Sequence, residues 1–79
     1  MINVRLFGGL KQHTGGAKRI ELAFEDVKSV EDILHTMRIP KGEVGQVLIN
    51  GTPMESSRTF NDTVSDGDEV DFYPISAGG

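Results

Sequence analysis

The chain has 79 residues, of which 37% are hydrophobic and 25% charged, with a formal net charge of −4. This is the make-up of one soluble globular domain with a small core, which leaves little room for an internal active-site cavity. No apolar run is longer than Val47-Leu48-Ile49, far short of a membrane span, and the lack of cysteine excludes disulfides and thiolate metal sites.

The N-terminus, Met1-Ile2-Asn3-Val4-Arg5, has no basic leader followed by an apolar stretch, so no signal peptide is predicted and a cytoplasmic location is expected. The basic residues Lys11, Lys18, Arg19, Lys28, Arg38, Lys41 and Arg58 are scattered. No cluster of them can displace the counterions of a phosphate backbone, so neither nucleic acid nor membrane is expected as a partner. The acidic balance favours a basic protein partner.

Ile2, Val4 and Leu6 alternate with Asn3, Arg5 and Phe7, which is the period of a strand. Ile20, Leu22 and Phe24 alternate in the same way with Arg19, Glu21 and Ala23. Gly8-Gly9 and Gly15-Gly16 bound the connection, so the two runs predict a β-hairpin with an irregular loop over residues 9–17. Ser29 then stands at a helix N-cap with Asp32 three residues on. Val30, Ile33, Leu34 and Met37 follow at i, i+3, i+4 and i+7, giving one apolar helical face over residues 29–38. Ile39-Pro40 and Gly42 end it.

Val47-Leu48-Ile49 predicts a third strand. Asn50-Gly51 is a two-residue hairpin turn, and Thr52-Pro53-Met54 a short return strand that Pro53 confines to an edge. Residues 55–65 read as a loop anchored by Phe60 and Val64. Asp66-Gly67-Asp68 is a turn, and Glu69 to Ile75 the last strand, with Val70 and Phe72 on one face and Asp71, Tyr73 and Ile75 on the other. The first strand, rich in branched aliphatics, belongs in the middle of the sheet. The helix can cross over and bring a later strand parallel to it. The expected fold class is therefore α+β: a β-grasp, a mixed sheet of four to five strands packed on one helix. The expected domain covers residues 1–75, with 76–79 as a flexible tail.

Internal chemistry is sparse. The glycine pairs match no phosphate-binding loop. Asp62 to Tyr73 has the length of a calcium loop, but Val64 and Tyr73 occupy positions that need oxygen ligands. His13 and His35 lack partners at ligand spacing and read as solvent-exposed, so no metal site is predicted. Serines 29, 56, 57, 65 and 76 have no histidine base near in sequence.

One feature remains, the ending Ser76-Ala77-Gly78-Gly79 straight after a strand. Glycine is 10 of 79 residues, so a Gly-Gly ending arises by chance in about 1.6% of such chains. Glycine lacks a Cβ, so Gly78 and Gly79 can thread a channel too narrow for side chains. The four residues reach up to ~14 Å when extended. A carboxylate at the tip is a poor electrophile. A separate ATP-using enzyme must activate it as an acyl-adenylate, which then accepts sulfur or an amine.

The short β-grasp plan, the Val64-Ser65-Asp66-Gly67-Asp68-Glu69-Val70 turn and the Tyr73-Pro74-x-x-x-Gly78-Gly79 ending together resemble the MoaD/ThiS family of sulfur carriers, relatives of ubiquitin in fold. The resemblance covers the whole chain. It implies a carrier that is not itself an enzyme and binds no cofactor of its own. The Gly79 carboxylate would be adenylated by an E1-like enzyme with ATP and converted to a thiocarboxylate. Ser76, Ala77 and Gly78 would thread the partner channel. The implied partners are the E1-like enzyme, a sulfur donor system and an acceptor synthase subunit, either a molybdopterin synthase large subunit or a thiazole synthase. The long first hairpin loop, residues 8–18, favours the molybdopterin branch over the thiamine branch. Ile75, where many molybdopterin-branch members have a second proline, weakens that assignment. A ubiquitin-like modifier joined to lysine through Gly79, or an inert tail on an interaction domain, would carry the same fold. Phe7, Tyr73 and Ile75 share the parity of the sheet face away from the helix and are the candidate partner-binding surface.

Overall fold

The computed structural model describes residues 1–54 and 59–75. Strand β1 spans Ile2–Leu6, β2 Arg19–Leu22, helix α1 Val30–Met37, β3 Val44–Ile49, β4 Thr52–Pro53 and β5 Glu69–Pro74. They form one five-stranded mixed sheet in the order β2-β1-β5-β3-β4. The β-grasp expected from the sequence is the fold observed.

Alternation in β1 has the predicted consequence. Ile2, Val4 and Leu6 are fully buried, while Asn3 and Arg5 between them are not. The pairing of β1 with β2 is antiparallel, Ile2 opposite Leu22 and Val4 opposite Ile20. The predicted run through Phe24 stops early. Phe24 opens a short 3-10 turn, Phe24–Asp26, which delivers Val27 into the core. The irregular first loop holds a 3-10 helix over Gly8–Thr14 with Leu10 buried.

Helix α1 has every N–H of its first turn satisfied. The Ser29 hydroxyl accepts from the Asp32 N–H at 3.2 Å. The Asp62 and Phe60 carbonyls accept from Val30 and Glu31 at 3.0 and 2.7 Å. The reciprocal arm of the cap is displaced by one residue, because the Asp32 carboxylate accepts from the Lys28 N–H rather than from Ser29. The helix ends where Arg38 turns left-handed, φ 59, and the Ile39 N–H reaches back to the Leu34 carbonyl, the pairing that closes a Schellman end. Val30, Ile33, Leu34 and Met37 face one cluster with Ile2, Val4, Leu6, Val70 and Phe72, joined by Phe60 and Val64. Ile20 and Leu22 pack against it only partly buried, as expected of an edge strand.

The second half hangs on β5. It lies parallel to β1, with Val4 opposite Val70 and Leu6 opposite Phe72, and antiparallel to β3. Asn50 and Gly51 both take positive φ, 52 and 83, the signature of the predicted two-residue turn. The Asn50 side chain also accepts from the Glu69 N–H at 2.9 Å, tying the turn to the start of β5. On the face opposite the core, Asp71 is 3% exposed and lies directly across from Arg5. The guanidinium donates to both carboxylate oxygens, each at 2.7 Å. This hydrogen bonding raises the Arg5 pKa above its already high ordinary value.

Two outcomes follow. Ile33→Ala should cost about 2–5 kcal/mol in chemical denaturation, because a fully buried side chain leaves a cavity between helix and sheet. Arg5→Met should lower the urea midpoint by roughly 1 M or more, since it strands the Asp71 carboxylate. The double variant Arg5→Met, Asp71→Leu should recover most of that loss. Equal midpoints for single and double variants would show that the stranded Asp71 carboxylate is not the source of the loss.

Candidate functional site

The face of the sheet away from α1 has no layer over it among the described residues. Phe7 follows β1, and its N–H donates to the Phe72 carbonyl at 3.1 Å, carrying the parallel pairing one residue past the strand. That register places Phe7 beside Tyr73. Their rings stack with centroids 4.5 Å apart and planes within 5°. Strand alternation shows the shared parity of the two aromatics but not this stack. Each ring covers one face of the other, so both are half-buried rather than fully exposed. The Lys18 ammonium lies 5.1 Å from the Phe7 ring centre and the Arg5 guanidinium 5.7 Å, within range of the ring quadrupole. The patch therefore offers ring edges and a cationic rim.

Ile75, the third residue of the expected surface, is 61% exposed and stands where β5 ends. Its N–H donates to the Glu43 carbonyl at 3.2 Å. The Glu43 side chain in turn meets His13, Nε2 to Oε1 at 2.7 Å. His13 is thus not the free surface histidine expected from the sequence. Its side chain is only 20% exposed, and it ties the 3-10 helix of the first loop to the turn before β3. A shallow groove of about 420 Å³ lies there, lined by Leu10, Gln12, Glu43, Pro74 and Ile75 among others. His35 is exposed on the far side of α1, as expected. Ser76, Ala77, Gly78 and Gly79 lie outside the described residues.

Among the described residues, no group of three or more His, Asp or Glu is placed to hold a metal ion. No helix of theirs is long and apolar enough to cross a membrane. Aromatic stack, exposed Ile75 and groove all gather at the end of the sheet where β5 delivers the chain. Sequence reading missed Leu10, Glu43 and Gly45 at this site. Leu10 is a lone apolar residue among polar ones, Glu43 acts through both its carbonyl and its carboxylate, and Gly45 through its backbone.

Comparison with known proteins agrees with this geometry. No curated protein matches the chain in sequence. Among solved structures, a chain of the BexX/CysO complex from Amycolatopsis orientalis superposes with a TM-score of 0.69 at 24% identity, covering 100% of both chains. Small archaeal modifier protein 1 from Methanosarcina acetivorans gives 0.72 at 21% identity, over 99% of this chain and 95% of that one. A chain of the complex of molybdopterin-converting factor subunits 1 and 2 from Helicobacter pylori gives 0.63 at 17%, over 99% and 97%. These likenesses establish the ubiquitin-like fold. The Mut7-C ubiquitin family matches residues 1–78, nearly the whole length. The resemblance to ubiquitin-fold carriers read from the turn and the glycine ending thus holds at the level of fold and family, and the chain belongs to the Mut7-C ubiquitin family.

Proposed function

We propose that this protein is a sulfur carrier whose working group is the Gly79 carboxylate. The observation that carries the reading is the place of β5. It is the central strand of the sheet, and it ends at an exposed Ile75 beside the Phe7–Tyr73 stack. The Gly78-Gly79 ending then follows after two further residues, Ser76 and Ala77. A partner docked on the open face is within reach of the residues after Ile75, which span up to ~14 Å when extended.

The chemistry proposed has two steps. A carboxylate oxygen of Gly79 attacks the α-phosphorus of ATP on an E1-like enzyme, and pyrophosphate leaves. A hydrosulfide-level nucleophile from the sulfur donor system then adds to the acyl carbon. AMP departs with the attacking oxygen, leaving a thiocarboxylate. Ser76, Ala77 and Gly78 are proposed to occupy the enzyme's channel, where side chains of any size would obstruct it. The domain contributes recognition; ATP and catalysis belong to the partner. We take the acceptor to be a molybdopterin synthase large subunit, on the length of the connection over residues 8–18 and its 3-10 helix. A thiazole synthase is the alternative acceptor.

Incubation with the activating enzyme, ATP and a sulfur donor should exchange one carboxylate oxygen for sulfur. Intact-mass spectrometry should locate the exchange on the C-terminal peptide. Deleting Gly79 should abolish it by withdrawing the reactive carbon ~3.5 Å, while the melting temperature hardly moves. Persistent transfer in the folded deletion variant would overturn the reading. A stable isopeptide to lysine with no thiocarboxylate would replace it with that of a protein modifier.

The open face gives a second outcome. Phe7→Asp breaks the ring stack and sets a carboxylate beside Tyr73. It should weaken binding to the activating enzyme at least about tenfold, as expected for an aromatic anchor, with the fold kept by circular dichroism. Unchanged affinity of the folded variant would remove Phe7 and Tyr73 from the docking surface.

A further inference from the structure

Where β5 hands the chain on, its two neighbouring strands approach it more closely than side chains allow. Gly45 lies in β3 at a break in register: Val44 pairs with Pro74 and Gln46 with Tyr73, leaving Gly45 as the extra residue of a β-bulge. A Cβ built on Gly45 would fall 2.6 Å from the Ile75 Cα and 2.6 Å from the Pro74 carbonyl oxygen. Both are backbone atoms, so no side-chain rotation relieves the clash. The need for glycine there is one of space, since its φ lies outside the left-handed region. On the other flank, Gly8 follows β1 with φ 58, and its Cβ would sit 2.9 Å from the Pro74 Cγ. Pro74 itself has a fixed φ and needs no partner for an N–H. The Ile75 N–H is held by the Glu43 carbonyl, and Glu43 is held by His13.

We infer that Gly45, with Gly8, is a positioning residue for the C-terminal reaction. The two glycines let β3 and β1 close on Pro74-Ile75 and so fix the direction in which the chain leaves the docking face. The role in reaction rests on the carrier reading above; the clamp itself does not. An Ala Cβ at position 45 needs an ordinary contact in place of 2.6 Å, which pushes the Pro74-Ile75 backbone aside by ~1 Å. The shift is made at the root, four residues before the reacting carboxylate; passed on in full to the reacting groups, a displacement of that size costs up to about a hundredfold in rate. The Phe7–Tyr73 stack precedes the displaced Pro74-Ile75 backbone, so the change acts on the exit of the chain more than on the stack. Docking and turnover should therefore separate.

The test uses Gly45→Ala in the full chain, with Gly8→Ala as a second variant acting from the other flank. The chain has no cysteine, so a spin label on Gly79→Cys is unique. Paramagnetic broadening of open-face amides then reads the exit direction without any enzyme. In the unlabelled chain, Kd for the activating enzyme and the single-turnover adenylation rate are measured separately. The clamp predicts a shifted broadening pattern in either folded variant. For Gly45→Ala it also predicts an adenylation rate that falls at least about tenfold more than Kd weakens. An unshifted pattern in a folded variant overturns the clamp. A shifted pattern with an unchanged rate overturns the positioning role. If the parent chain is not adenylated at all, the carrier reading falls, and the broadening pattern alone still decides whether the clamp exists.

Discussion

The parallel pairing of β1 with β5 is the constraint on which the rest of the structure depends. A parallel pair cannot be closed by a tight turn, so the chain between the two strands must cross the sheet, and α1 makes part of that crossing. Once β5 is seated, β1 and β3 lie on either side of it, and both of its edges are occupied before the chain continues. The pairing is held from two sides. Val4, Leu6, Val70 and Phe72 bury one face of the seam against the helix, and the Arg5–Asp71 pair closes the other. A carboxylate this buried is tolerable only because a guanidinium fork meets both of its oxygens.

On the proposed carrier reading, the terminal segment is handled by other proteins and needs a fixed root. An edge strand would fray at its last residues, whereas β5 is paired with β1 as far as Phe72 and with β3 as far as Pro74. The same seam sets Phe7 beside Tyr73, so the aromatic patch and the exit of the chain share one register. Slipping that register by one residue would move the patch to the other face of the sheet and the exit with it. On the carrier reading proposed above, recognition and reach are thereby coupled. The loop over Gly8–Thr14 belongs to the same unit, because His13 and Glu43 tie it to the root of the segment after Ile75.

Much of this was legible in the sequence because it rests on periodicity. Alternation in Ile2-Val4-Leu6 and the stripe Val30-Ile33-Leu34-Met37 name the two faces of the core directly, and Asn50-Gly51 names its turn. The shortfalls have a common cause. The burial of Leu10 and Val27 and the His13–Glu43 contact depend on groups far apart in sequence. Gly45 shows the limit most clearly. A lone glycine between Val44 and Gln46 carries no turn signal, and its reason is the backbone of Pro74-Ile75, thirty residues away. At the site, parity picked out Phe7 and Tyr73, but only three-dimensional register shows that the rings stack.

The measurement closest to the central proposal is made on protein isolated from its native cells. The chain contains no cysteine, so a thiol-selective alkylating reagent finds no sulfhydryl on any side chain. A thiocarboxylate would be its one nucleophile of that class. Peptide mass spectrometry after alkylation should place a single label on the C-terminal residue of a fraction of the molecules. Treatment with hydroxylamine, which cleaves the resulting thioester, should remove it. Protein recovered from cells that supply the sulfur pathway yet wholly unlabelled at that residue, or labelled elsewhere in the chain, would contradict sulfur loading at Gly79.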